Sequence, residues 1–163
     1  MPVEIKNMTD AEFEVFSRWS IGHHAEELVA ELRLSPEAAL KEARGEFAGM
    51  LPDGLHTERH RLMTIAEKES GEAVGFIWTI HEEAPGGKQC FVCDFAVWEP
   101  KRRRGCGAEA LRLAEEQAAE AGCRESVLFV ADRNEAARAL YEKSGYCFLR
   151  REGYGAYMVK PLA

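Results

Sequence analysis

Between Val97 and Gly107 the chain reads Val-Trp-Glu-Pro-Lys-Arg-Arg-Arg-Gly-Cys-Gly. An apolar run over 90–98 leads into this segment, and a helical pattern leads out from Gly105. A helix start offers unpaired N–H groups and a partial positive charge. Gly105 and Gly107 let a ligand approach the main chain closely. Arg102, Arg103 and Arg104, with Lys101, add full charges. Together these groups suit a phosphate. The segment is not a Walker loop, because Gly-x-x-x-x-Gly-Lys-Ser/Thr is absent, and it lacks the third glycine of a dinucleotide fingerprint. A second segment reads Asn134-Glu-Ala-Ala137-Arg-Ala-Leu-Tyr141-Glu-Lys-Ser-Gly145-Tyr146. Helical spacing puts Asn134, Ala137 and Tyr141 on one face. A phenol there can deliver a proton; the same spacing equally describes a core aromatic.

The rest of the chain must position these two segments. A strand is expected over 2–6. Thr9-Asp10-Ala11-Glu12 has capping-box spacing and opens a helix to Trp19; a second helix follows over 23–34. Ser35-Pro36 starts a third, ending near Met50. Apolar runs at 62–67 and 73–81 form a hairpin. The nearly continuous apolar run over 90–98 reads as a strand buried on both faces. From Gly105, Ala108, Leu111, Ala114, Ala118 and Ala121 form one helical face. Glu109, Arg112, Glu115, Glu116 and Glu120 fall largely elsewhere, and Gly122 stops the helix. A strand over 127–131 completes a strand–helix–strand unit, which predicts a parallel pair with a right-handed crossover. Asn134 caps a helix to about Ser144, and short strands follow at 146–150 and 154–159. One domain over residues 1–163 is expected.

Two motifs within this order resemble a known family. Arg102-x-x-Gly105-x-Gly107 is similar to the (Gln/Arg)-x-x-Gly-x-(Gly/Ala) signature of the GCN5-related N-acetyltransferases (GNAT). The segment from Asn134 to Tyr146 is similar to that family's Asn-x-x-Ala-x-x-x-Tyr-x-x-x-Gly-(Phe/Tyr). The resemblance covers nearly the whole chain and is closest from Phe91 to Tyr146. It implies an α/β (α+β) fold: a central mixed, mostly antiparallel sheet with one parallel, splayed strand pair and helices on both faces. It implies acetyl-CoA as cofactor, with direct acetyl transfer to a primary amine, either a small molecule or a peptide amino group. The amides of Gly105, Cys106, Gly107 and Ala108, with Arg102–Arg104, would hold the pyrophosphate. The backbone of Phe95, Ala96 and Val97 would hold the pantetheine arm, commonly beside a bulge. Asn134 and Ala137 would line the same site, and Tyr141 takes the family's general-acid position. The glutamate that some members use as base falls here on Phe91, so that role does not transfer. The resemblance also leaves room for a homodimer and for a non-catalytic acyl-CoA sensor on the same fold.

Asp94 is the one charge within 91–98 and needs a reason. It fits a base acting through water, or a carboxylate bonded to main chain at the bulge. His23, Glu26 and Glu27, with His24, cluster where the family builds its acceptor wall, although adjacent polar residues usually form a helix's wet face. The net charge is −7, which disfavours nucleic acid as a partner. Residues 1–89 carry nine basic and seventeen acidic side chains, which favours a cationic acceptor. Cys90-x-x-Cys93 lacks a second pair and lies on a strand, so no metal is expected. Five scattered cysteines read as reduced thiols of a cytoplasmic protein. No apolar run reaches the roughly 18–20 residues of a membrane span.

Overall fold

The computed structural model describes residues 2–98 and 105–162. Its contacts divide the chain into a helical unit, Met8–His60, and a sheet unit formed by the remainder.

The helical unit contains α1 (Asp10–Leu32) and α2 (Pro36–Met50). Thr9 Oγ1 accepts the Glu12 N–H at 3.1 Å, while Glu12 Oε1 accepts the Thr9 N–H at 2.9 Å. This reciprocal cap satisfies two orphan donors of the first turn. The expected interruption between residues 19 and 23 does not occur; α1 is continuous. A mid-helix glycine such as Gly22 costs only about 1 kcal/mol. The apolar side chains beyond it, Ala25 and Leu28, pack on Ala39 and Ala43 of α2. Burying that seam outweighs the local penalty. Ser35 Oγ caps α2 by accepting the Ala38 N–H at 3.1 Å.

The sheet unit contains seven strands: β1 (Val3–Asn7), β2 (His60–Glu67), β3 (Ala73–Ala84), β4 (Gly87–Val97), β5 (Glu125–Ala131), β6 (Cys147–Glu152) and β7 (Gly155–Pro161). Helix α3 (Cys106–Glu120) joins β4 to β5, and α4 (Glu135–Lys143) follows β5. The strand order is β1-β2-β3-β4-β5-β7-β6. β4 and β5 run parallel, as the crossover requires. The β1–β2, β3–β4, β5–β7 and β6–β7 pairs are antiparallel. The mixed, mostly antiparallel sheet with one parallel pair is therefore observed.

Cys106, Ala110, Leu111 and Ala114 of α3, with Tyr141 of α4, pack on Val3, Ile65, Val92, Leu128 and Met158 of the sheet. Three details differ from expectation. Ala108 is exposed and Ala110 is buried, so the buried stripe of α3 is rotated from the expected one. Glu115, expected on the polar side, is only 6% exposed. β4 is also not buried on both faces: from Phe91 to Val97 only Val92 is buried. Its paired half is buried on one face only, at Cys90 and Val92, and beyond Val92 it has lost its neighbour β5.

Candidate active site

β4 and β5 pair in register only from Gln89 opposite Glu125 to Val92 opposite Leu128. β4 then continues to Val97 and β5 to Ala131 without pairing to each other. The cause is local. On the other side of β4, Thr79 stands opposite Val92 and Trp78 opposite Asp94, so Cys93 is an extra residue. Such a bulge bends the strand and strengthens its twist. Beyond it, β4 stays with β3 as far as Gly75 opposite Val97. A Cβ on Gly75 would lie 2.1 Å from the Ala96 carbonyl oxygen, so only glycine permits that approach. The result is a wedge walled by the main chain of Phe95, Ala96 and Val97 and by the end of β5.

The N-terminus of α3 meets this wedge. Gly105 has φ 78°, a left-handed conformation that favours glycine. A Cβ at Gly107 would lie 3.5 Å from Phe95 and 3.7 Å from both Val97 and Leu140. The first turn of α3 thus rests on the end of β4 and on α4. Bare glycine backbone, helix-start amides and unpaired strand main chain fit a long ligand with a phosphate at one end. Arg102, Arg103 and Arg104 lie outside the described residues.

Tyr141 is 8% exposed and packs in the core cluster shared with Val92 and Leu128, the last paired residues before the strands part. Burial raises its phenol pKa above the ordinary value, and the Asp94 carboxylate pushes in the same direction. The phenol therefore keeps its proton at neutral pH. Asp94 Oδ1 accepts the Phe95 N–H at 3.0 Å, the main-chain role at the bulge. Asn134 Oδ1 accepts the Ala137 N–H at 3.1 Å and caps α4. Ala137 packs at the margin of the core.

His23, Glu26 and Glu27 stand on α1 in the helical unit. The His23 ring stacks on Trp19 at 4.6 Å between centroids. Glu27 lies 4.0 Å from His24, which also pairs with Glu46, and Glu26 is exposed.

Sequence reasoning missed a buried polar chain that joins α3 to β5 and β7. The Tyr146 hydroxyl donates to Glu115 Oε2 at 2.9 Å and lies 2.7 Å from Ser126 Oγ. Lys160 Nζ donates to Glu115 Oε1 at 2.7 Å. One signal was available: Glu115 lies one turn beyond Leu111, on the helix's buried side. His81 was also missed. It is 4% exposed, and among the described residues neither ring nitrogen has a hydrogen-bond partner. Burial, with Arg61 and Lys88, lowers its pKa to about 4.

The match to the acetyltransferase (GNAT) family covers residues 19–146 of this chain. The chain belongs to the GNAT acetyltransferase family. A Bacillus subtilis protein described as the uncharacterized N-acetyltransferase YycN is 32% identical over 146 residues, covering 90% of this chain and 93% of its own. A second B. subtilis protein, the uncharacterized N-acetyltransferase YdgE, is 28% identical over 90% of this chain and 92% of its own. The YycN crystal structure superposes with a TM-score of 0.85, covering 93% of this chain and 96% of YycN. The PaiA N-acetyltransferase of Thermoplasma acidophilum, solved with coenzyme A, gives 0.73 at 16% identity over 99% of both chains, a likeness of fold. On the family and its relatives, this GNAT chain is an N-acetyltransferase. Among its described residues no helix is long and apolar enough to cross a membrane.

Proposed function

We propose that this acetyltransferase moves an acetyl group directly from acetyl-CoA to a primary amine, with Tyr141 as the acid that serves the departing thiolate. The observation that carries this reading is a buried phenol, its pKa raised, beside the place where β4 and β5 part. Bound acetyl-CoA would supply an activated acyl group on a thiol leaving group. The main chain of Phe95–Val97 would hold its pantetheine arm. Gly105, Cys106, Gly107 and Ala108, with Arg102–Arg104, would hold its pyrophosphate, and Asn134 and Ala137 would flank it.

An alkylammonium must lose a proton before it attacks. Asp94 would accept that proton through water, one oxygen remaining bonded to the Phe95 N–H. Tyr141 keeps its own proton until the sulfur needs it. The acceptor is a small amine or a peptide amino group, and His23, Glu26 and Glu27 are the residues assigned to its recognition. The match from residue 19 to 146 runs through both units, which supports one catalytic domain. Five free cysteines support a reducing, cytoplasmic setting.

Thiol release from acetyl-CoA with a panel of amines tests the proposal. Tight coenzyme A binding without release for any amine would favour the sensor reading instead.

A further inference from the structure

The face of the sheet opposite α3 carries a cleft of about 340 Å³. Val92, Leu128 and Met158 point into the core. Strand alternation therefore turns Phe91, Val127 and Tyr157 to the other face. There they form an apolar floor, with the Phe91 and Tyr157 rings 6.4 Å apart. Phe91 and Val127 are partners in the β4–β5 register, one step before the strands part. The cleft therefore reaches to within one residue pair of the wedge.

Its far end is polar. Glu82 stands opposite Gln89, and Gln89 opposite Glu125, so three polar side chains cross three neighbouring strands in a row. Gln89 Nε2 donates to Glu82 Oε2 at 3.1 Å. Among the described residues, neither Glu82 nor Glu125 has a cationic partner. The cation in the lining, Arg150, is already held by Glu152 at 2.8 Å, with its guanidinium 4.3 Å from the Tyr157 ring centre. The cleft is thus a trough with an apolar floor, ending in two carboxylates that form no ion pair among the described residues. Such a shape suits a methylene chain with an ammonium at its tip.

The geometry points to an acceptor with two amino groups: one at the wedge, where acetyl transfer occurs, and a second, unreacted ammonium between Glu82 and Glu125. This inference rests on the acetyl-transfer reading. Glu125 stands three residues before Leu128, the last β5 residue paired with β4. At about 3.3 Å per residue the two ends lie roughly 10 Å apart. A long aliphatic diamine spans that distance; a short one does not.

The test uses 1,8-diaminooctane against n-octylamine. Calorimetric titration into the full-length protein saturated with coenzyme A should show the diamine binding at least tenfold more tightly. Glu82→Gln and Glu125→Gln should each reduce that preference, and the double variant should abolish it. In steady state the double variant should raise KM for the diamine about tenfold and leave kcat, and KM for octylamine, unchanged. Equal affinity for the two amines, or a preference that survives the double variant, would overturn the inference. A carboxylate-dependent preference without thiol release from either amine would uphold the cleft and overturn the acetyl-transfer reading. The two failures are therefore distinguishable.

Discussion

The Tyr146 hydroxyl donates to Glu115 at 2.9 Å, joining the end of the Asn134–Tyr146 motif to the middle of α3. With Ser126 on β5 and Lys160 on β7, the pair ties the crossover helix to the sheet. α3 carries Gly105 and Gly107 at its start, so this bond fixes the helix whose first turn meets the wedge. Tyr146→Phe should destabilise the fold by about 1–3 kcal/mol, because Glu115 and Ser126 stay buried with one partner fewer. Urea denaturation measures it. Activity per folded molecule should change little, and a variant as stable as the parent would remove the chain's structural role.

Tyr141→Phe separates the two tyrosines of the motif. Here kcat should fall by about 10²–10⁴ with coenzyme A affinity nearly constant, as expected for an acid used only in the transition state. The raised phenol pKa also fixes the pH profile. A general acid fails above its pKa, and this one lies above the ordinary tyrosine value of about 10. The rate should therefore climb with free amine and show no Tyr141-dependent fall below pH 10. A kcat unchanged while chemistry limits the rate would reduce Tyr141 to packing.

Gly107 and Gly105 should respond to substitution for different reasons. At Gly107 a methyl fits at ordinary contact distance from Phe95, Val97 and Leu140. Gly107→Ala should be mild. Gly107→Ile adds carbons beyond that first contact and should weaken coenzyme A binding by at least about tenfold, since the ligand must reach the main chain. At Gly105 there is space, yet φ is 78°. Gly105→Ala should therefore cost about 1–2 kcal/mol of stability whatever is bound. Calorimetry of binding and melting of the free protein distinguish the two.

His81 makes stability depend on pH. Its pKa falls from 6.5 unfolded to about 4 folded. Between those values the unfolded chain binds the extra proton, so stability rises with pH over that window and is lost as pH falls. The contribution should be roughly 2 kcal/mol weaker at pH 5 than at pH 7. His81→Leu should flatten that part of the profile in denaturation measured at the two values. An unchanged slope would assign the window to other groups.

What the sequence revealed and what it hid divide along physical lines. The Thr9–Glu12 box, the Ser35-Pro36 start and the Asn134 cap are local arrangements, and each forms as its spacing requires. The parallel pairing of β4 and β5 across α3 follows from the strand–helix–strand order and was legible too. The bulge at Cys93 was not readable at a residue, because it exists only as a count of Cys93 against the facing strand β3. The place of Glu115 one turn beyond Leu111 signalled its burial, but its partners, Tyr146 and Lys160, were hidden because they lie 31 and 45 residues away. The break expected between residues 19 and 23 does not form, because packing of Ala25 and Leu28 on α2 holds α1 continuous. At the candidate site the strand ending at Val97 and the helix start at Gly105 were legible from the first motif. The diamine cleft was not, since Glu82, Gln89 and Glu125 come together only through strand register.

β6 forms one margin of the sheet, and all six of its residues are exposed. Phe148 and Leu149 are 57% and 48% exposed, with an exposed thiol at Cys147 beside them. A sheet margin presents open N–H and C=O groups to any strand that arrives. Arg150, Arg151 and Glu152 fill the other half with charges, engaged with Glu152 and Asp132. Those charges guard their half against stray strand addition; the apolar half has no such guard. The apolar end of this margin, Cys147, Phe148 and Leu149, is therefore where a second strand would add most readily, and Phe148→Lys should lower self-association in concentrated stocks.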